Sequence, residues 1–227
     1  MASSKKGISA HQLHRTLGIT YKSAWFMAHR IREAMNESGG SPVGGKDVIV
    51  EADETYLGSG GYEFHNEKGW KKKRARGDRM VVVSLVERNG RARSVKVDNL
   101  TAKTMRKAVL DNASTDSTLM TDEAKYYPNI GKKFAAHARV NHMKGEYVRG
   151  AVSTNTVEGF FSIFKRGMIG TYQHCGEQHL QRYLNEFDFR YSNRVALGVD
   201  DAERTMRAIK GAEGKRLTYR RANGKAA

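Results

Sequence analysis

The chain has 227 residues, of which 39% are hydrophobic, enough for one globular domain with its own core and a smaller appendage. Lysine and arginine number 40 against 24 acids, a formal net charge of +16; such an excess points to a polyanionic partner, nucleic acid first, and away from an ordinary metabolic enzyme. Cys175 is the single cysteine, which excludes a disulfide framework or a cysteine-based zinc site within these residues. The opening "MASSKKGISAHQLHR" lacks the apolar segment of a signal peptide, and no apolar run of membrane-spanning length occurs, so a soluble, intracellular protein is expected.

Residues 8 to 36 place apolar side chains at helical spacing on both sides of "LGIT". Gly18 is suited to close one helix and Thr20 to cap the next, a helix-turn-helix pattern. The second helix carries Tyr21, Lys22, His29, Arg30 and Arg32 beside its core face, either as a DNA-contacting element or as the solvated side of a plain helical hairpin. "ESGGSPVGG" at 37–45 reads as a linker.

Beyond it, "DVIVEADETYL" (47–57) is strand-like. A Gly-rich insertion follows at 58–79, where Lys68, Lys71, Lys72, Lys73, Arg74, Arg76 and Arg79 crowd together; it reads as a loop, solvated or ordered on a phosphate backbone, with Tyr62, Phe64 and Trp70 available to stack on bases. Two β-branched runs, 79–88 and 91–99, flank Asn89-Gly90 and predict a hairpin. A helix over 101–113, a strand over 117–122, a strand over 134–142, and helices over 154–168, 176–194 and 201–211 follow, with a basic tail from Lys215. The order predicts an α/β protein, a mixed sheet whose first three strands are antiparallel, flanked by helices.

Three acids stand out. Asp53 lies within an apolar strand, where an ionised carboxylate needs compensation: a lysine partner or a functional role both satisfy this. Asp122 closes the fourth strand, where open α/β sheets gather functional groups, although a helix N-cap is the plainer alternative. Glu158 falls on the helix "STNTVEGFFSIFKRG"; Asn155, Ser162 and Lys165 lie within about 60° of it around the axis, as in a metal-and-phosphate face or an ordinary surface stripe. Glu51 shares a strand face with Asp53 and Glu54 points away, making Glu51 the alternative strand acid. Carboxylates on two strands and a helix are what a two-Mg²⁺ phosphoryl-transfer site needs, because Mg²⁺ takes hard oxygen ligands, and a lysine two turns beyond the third acid can hold a phosphate.

"VEADETYLG", "LMTDEAKYY", "HARVNHMKGEYVRG" and "TNTVEGFFSIFKRGMIGTY" with "LQRYLNEFDFRYSNR" together resemble the insertion-sequence transposases of the ISXO-like group, members of the DDE superfamily with a ribonuclease H-like catalytic domain. The resemblance implies Asp53, Asp122 and Glu158 as catalytic metal ligands, with 35 residues between the last two and Lys165 seven positions after Glu158. It implies two Mg²⁺ ions, with Mn²⁺ as substitute. It assigns DNA contacts to Lys165, His142, Lys144 and Arg149, with Asn155 either beside the site or contacting the DNA backbone and His137 either in the DNA path or structural. The insertion residues Lys71, Lys72, Lys73, Arg74 and Arg76, with Lys22 and Arg30 of the helical region, complete the DNA-binding set. Relatives commonly begin with a Cys-rich zinc-binding segment, which these residues lack.

The expected organisation is a helical DNA-binding region at 1–38, a linker at 39–46, a catalytic domain at 47–197, and a terminal helix and tail at 198–227. The expected activity is metal-dependent 3′-end hydrolysis and strand transfer on double-stranded DNA by a cytoplasmic, nucleoid-associated protein, as a dimer or larger assembly on DNA. The alternatives are an endonuclease of the same fold without strand transfer and a DNA-binding protein descended from a transposase.

Overall fold

A computed structural model describes residues 1–37, 40–58, 62–65, 69–72 and 80–215, with the backbone alone at 62–65 and 69–72. Its segments form two compact units, one from 1–40 and 166–227, the other from 41–165.

The second unit is built on a five-stranded sheet. The strands are β1 (Ile49–Leu57), β4 (Met80–Glu87), β5 (Ala92–Val97), β6 (Thr118–Thr121) and β7 (Ala136–Arg139), in the order β5-β4-β1-β6-β7. β1, β4 and β5 are antiparallel, and β6 and β7 run parallel to β1. The β4–β5 hairpin turns where Asn-Gly predicts it, with Asn89 at φ 57, a left-handed conformation asparagine tolerates. β7 is shorter than the predicted 134–142 because the chain turns into a 3₁₀ segment at His142–Lys144.

One face of the sheet presents Val50, Ala52, Val83 and Leu85 to a core shared with Met105, Ala108 and Val109 of helix α3 (Ala102–Leu110), and with Tyr127 and Ile130 of the short helix α4 (Tyr127–Gly131). Thr101 caps α3 by accepting a bond from the Thr104 N–H. The opposite parity of β1 holds Glu51, Asp53 and Thr55. Helix α5 (Asn155–Gly167) attaches on that side through Glu51. Val157, Phe160, Phe161 and Phe164 of α5 are buried, while Asn155, Glu158, Ser162 and Lys165 are exposed, so the apolar arc and polar stripe fall as the helical period predicts.

The insertion departs from the expected loop. Tyr62–His65 (β2) pairs antiparallel with Gly69–Lys72 (β3). Lys68, Lys73, Arg74, Arg76 and Arg79 lie outside the described residues.

In the first unit, α1 (Ala10–Leu17) ends at Gly18 with φ 64, and Thr20 caps α2 (Tyr21–Ala34) by accepting from the Ser23 N–H. α2 packs on α1 and also with α6 (Leu180–Ser192) and α7 (Asp201–Lys210), elements far away in the chain. Two α2 residues therefore leave the expected DNA-facing set. His29 and Arg32 are 1% and 2% exposed, and Arg32 is ion-paired to Glu186 of α6 at 2.8 Å. Lys22 and Arg30 remain on the exposed side. No described helix is long and apolar enough to cross a membrane.

Candidate active site

The parallel register sets Glu51 of β1 opposite Met120 of β6. Two residues further along stand Asp53, in the middle of β1, and Asp122, just past the end of β6. Carboxylate oxygens of Asp53, Asp122 and Glu54 all lie within 4.8 Å of one another. Glu54 is the acid that strand alternation assigns to the far face. Alternation fixes where a Cβ points, not where a glutamate's longer arm ends, and Asp53 folds back so that Oδ1 accepts the Glu54 N–H at 2.7 Å. The Tyr126 hydroxyl donates to Glu54 Oε1 and the Tyr127 hydroxyl to Oε2 at 3.0 Å. Asp122 caps no helix: Oδ1 accepts from the Ala124 N–H at 3.0 Å in a local turn.

The charge is poorly compensated. Burial first, then the charges of Glu54, Asp122 and Glu158, push the Asp53 carboxyl up to about 8. Burial also raises Glu54, against the bonds from its tyrosines, and Asp122, against the Ala124 N–H. Three crowded carboxylates offer only hard oxygen, the donor set of Mg²⁺ or Mn²⁺, and a divalent cation relieves the repulsion among them. The residues fit such an ion.

Glu158 stands on the first turn of α5, and its charge reaches Asp53. Thr154 Oγ1 donates to Glu158 Oε1 at 2.7 Å, and His142 Nε2 lies 3.8 Å from the same oxygen. Glu51 does different work from Asp53, its neighbour on the same strand face. Fully buried, it accepts the Thr156 and Val157 N–H groups at 2.7 and 3.1 Å and the Thr156 hydroxyl at 2.9 Å. Arg88 Nε adds an ion pair at 2.7 Å, while its other nitrogens reach the Ala151 and Ser153 carbonyls and the Ser153 hydroxyl. Glu51 and Arg88 thus fix the start of α5, and with it Glu158, to the strand that carries Asp53. An acid at a helix start is favoured by the first-turn N–H groups.

The remaining predicted residues divide. His142 borders Glu158, and Lys144, on the same 3₁₀ segment, and Arg149, on the short strand that follows, are exposed. His137 bonds Thr121 Oγ1 at 3.0 Å, with burial lowering its pKa and Gly131 packed against its ring; this favours the structural alternative. Asn155 and Lys165 lie along the exposed stripe of α5. For Lys71 and Lys72 the backbone alone is described, on β3. Glu54, Tyr126, Tyr127, Arg88 and Thr154 escape sequence reasoning; the adjacent acids in "DET" and adjacent tyrosines in "AKYY" are the only visible signals.

Three antiparallel strands followed by two parallel ones, with acids on β1 and just past β6, define a ribonuclease H-like transposase fold. The chain belongs to the family of ISXO2-like transposase domains, whose model matches residues 43–192. A relative from Halobacterium salinarum, described as an uncharacterized protein in transposable element ISH50, is 25% identical over 192 residues. That match covers 80% of this chain and 64% of the relative's own length.

Proposed function

We propose that the protein is an insertion-sequence transposase that cuts DNA at the element's ends and joins the freed ends to a target duplex. The observation that carries this reading is the meeting of Asp53 and Asp122 on neighbouring strands, with the charge of Glu158 on α5 reaching Asp53. In the first step a water oxygen bonds to phosphorus and the bond to the element's 3′ oxygen breaks, leaving a 3′-hydroxyl. In the second that hydroxyl attacks a target phosphorus and displaces a target 3′ oxygen, so one phosphodiester replaces another and no enzyme-linked intermediate forms.

Asp53, Asp122 and Glu158 are the residues that would hold two Mg²⁺ or Mn²⁺ ions. Such a metal pair, when bound, activates the attacking oxygen and stabilises the leaving one. Glu54 adds a fourth carboxylate whose direction Tyr126 and Tyr127 set. Lys165 grips a phosphate as a point charge, with Asn155 a turn before Glu158. His142, Lys144 and Arg149 line the DNA path beside the acids. Lys71, Lys72, Lys73, Arg74 and Arg76 contact backbone non-specifically, and Lys22 and Arg30 contact DNA from the helical unit. Joining two ends requires a dimer or larger assembly on DNA.

The test is strand transfer of labelled, pre-cleaved element ends into a supercoiled plasmid with Mg²⁺, with Mn²⁺ and with EDTA. Joining should need metal and disappear in Asp122→Asn while DNA binding persists. Full joining by that variant would defeat the assignment; cleavage without joining would leave an endonuclease, and binding alone a DNA-binding protein.

A further inference from the structure

Next to the acids lies an apolar lobe that neither metal binding nor a phosphate grip explains. Within six residues, Met143, Tyr147 and Val148 are 88%, 59% and 54% exposed. They do not sit on a loose loop. The Glu123 carboxylate accepts the His142 and Met143 N–H groups at 3.0 and 3.2 Å. Asn141 Oδ1 accepts the Lys144 N–H, Asn141 bridges to Glu146 through the backbone, and the Arg149 guanidinium donates to the Arg139 carbonyl. Apolar groups held out on a fixed frame mark a surface built to be covered.

The geometry points to what covers it. Tyr147 packs on His142, ring centroids 5.0 Å apart and planes 31° apart, and His142 Nε2 is 3.8 Å from Glu158 Oε1. The exposed tyrosine is therefore one ring away from an acid of the candidate active site. The exposed cationic residues Lys144 and Arg149 flank it on the same lobe. An occupant must bring a flat apolar face to Tyr147 and negative charge to its surroundings, in continuity with the acids.

We infer that this lobe stacks an unpaired nucleobase adjoining the scissile phosphate, with Tyr147 as the platform and Met143 and Val148 as its apolar rim. A nucleotide supplies both the flat face and the charge, and its base reaches Tyr147 only after leaving the duplex stack. The inference deepens the transposase reading and rests on it for the identity of the neighbouring phosphate. It adds that the DNA is opened beside the cut.

Fluorescence anisotropy in EDTA separates the two claims. The probes are two labelled DNAs of one sequence, a fully paired duplex and a fork with unpaired bases at one end. The wild-type protein should bind the fork about tenfold more tightly. Tyr147→Phe should keep that preference, and Tyr147→Ala should lose it while binding the duplex as before. Equal wild-type affinity for the two DNAs, or a fork preference that survives Tyr147→Ala, overturns the inference. Because the assay contains no metal and reads no cleavage, it fails or succeeds independently of strand transfer.

Discussion

The two units bury charge in opposite ways. In the helical unit Glu186 is wholly buried, and its oxygens meet Arg32 at 2.8 Å, Arg190 at 2.6 Å and the Tyr172 hydroxyl at 2.6 Å. The Arg32 guanidinium also lies 4.0 Å from the Tyr183 ring centroid, a favourable cation–aromatic contact. In the sheet unit, Asp53, Glu54 and Asp122 are gathered with one another. A buried carboxylate answered by cations belongs to the architecture; carboxylates answered by further carboxylates are arranged for something that arrives later. The contrast recurs within β1, where Glu51 meets Arg88 and the start of α5, while Asp53, two residues on, meets among the described residues other acids and the Glu54 N–H.

The sharpest way to break this comparison is to remove the answered charge. Glu186→Ala strands Arg32 and Arg190 in the helical unit and should cost about 3–5 kcal/mol, read as a lower urea midpoint. If stability is unchanged, the pairing is not what holds α2 to α6. Glu51→Gln should cost less, about 1.5–3 kcal/mol. Both Glu51 oxygens only accept bonds, so an amide turns its NH₂ group towards donors; unchanged urea unfolding would show that these bonds do not anchor α5.

Removing an unanswered charge should do the reverse. Asp53→Asn is expected to raise the melting temperature in EDTA, by about 0.5–2 kcal/mol of added stability, because it removes an acid that burial first, and the neighbouring carboxylates second, disfavour. Mg²⁺ should stabilise the wild-type protein by mass action, about 1.4 kcal/mol at ten times its dissociation constant, and should stabilise this variant much less. A variant that is less stable in EDTA and keeps the full Mg²⁺ response would contradict the reading of the acid cluster.

Much of this was legible in the sequence where one segment carries its own signal. Gly18 and Thr20 set the end of α1 and the start of α2, Asn89-Gly90 marked the β4–β5 hairpin, and the apolar period of 154–168 told the buried arc of α5 from its polar stripe. Asp53, Asp122 and Glu158 were singled out by position within such elements. The signals failed where the partner lies elsewhere in the chain. His29 and Arg32 looked like cations beside a DNA-facing helix until α6 covered them. Alternation sets Glu54 away from Asp53, yet says nothing about where a flexible carboxylate ends.

By itself, then, the sequence determined the longer elements and the acids they carry, because caps, turns and periodicity act over a few residues. Only the tertiary structure decided which buried charges are answered and which are not. Electrostatics depends on distance in space: the parallel pairing of β1 with β6 carries Asp122 to Asp53, and the packing of α2 on α6 carries Glu186 to Arg32, across stretches of chain that no local pattern spans.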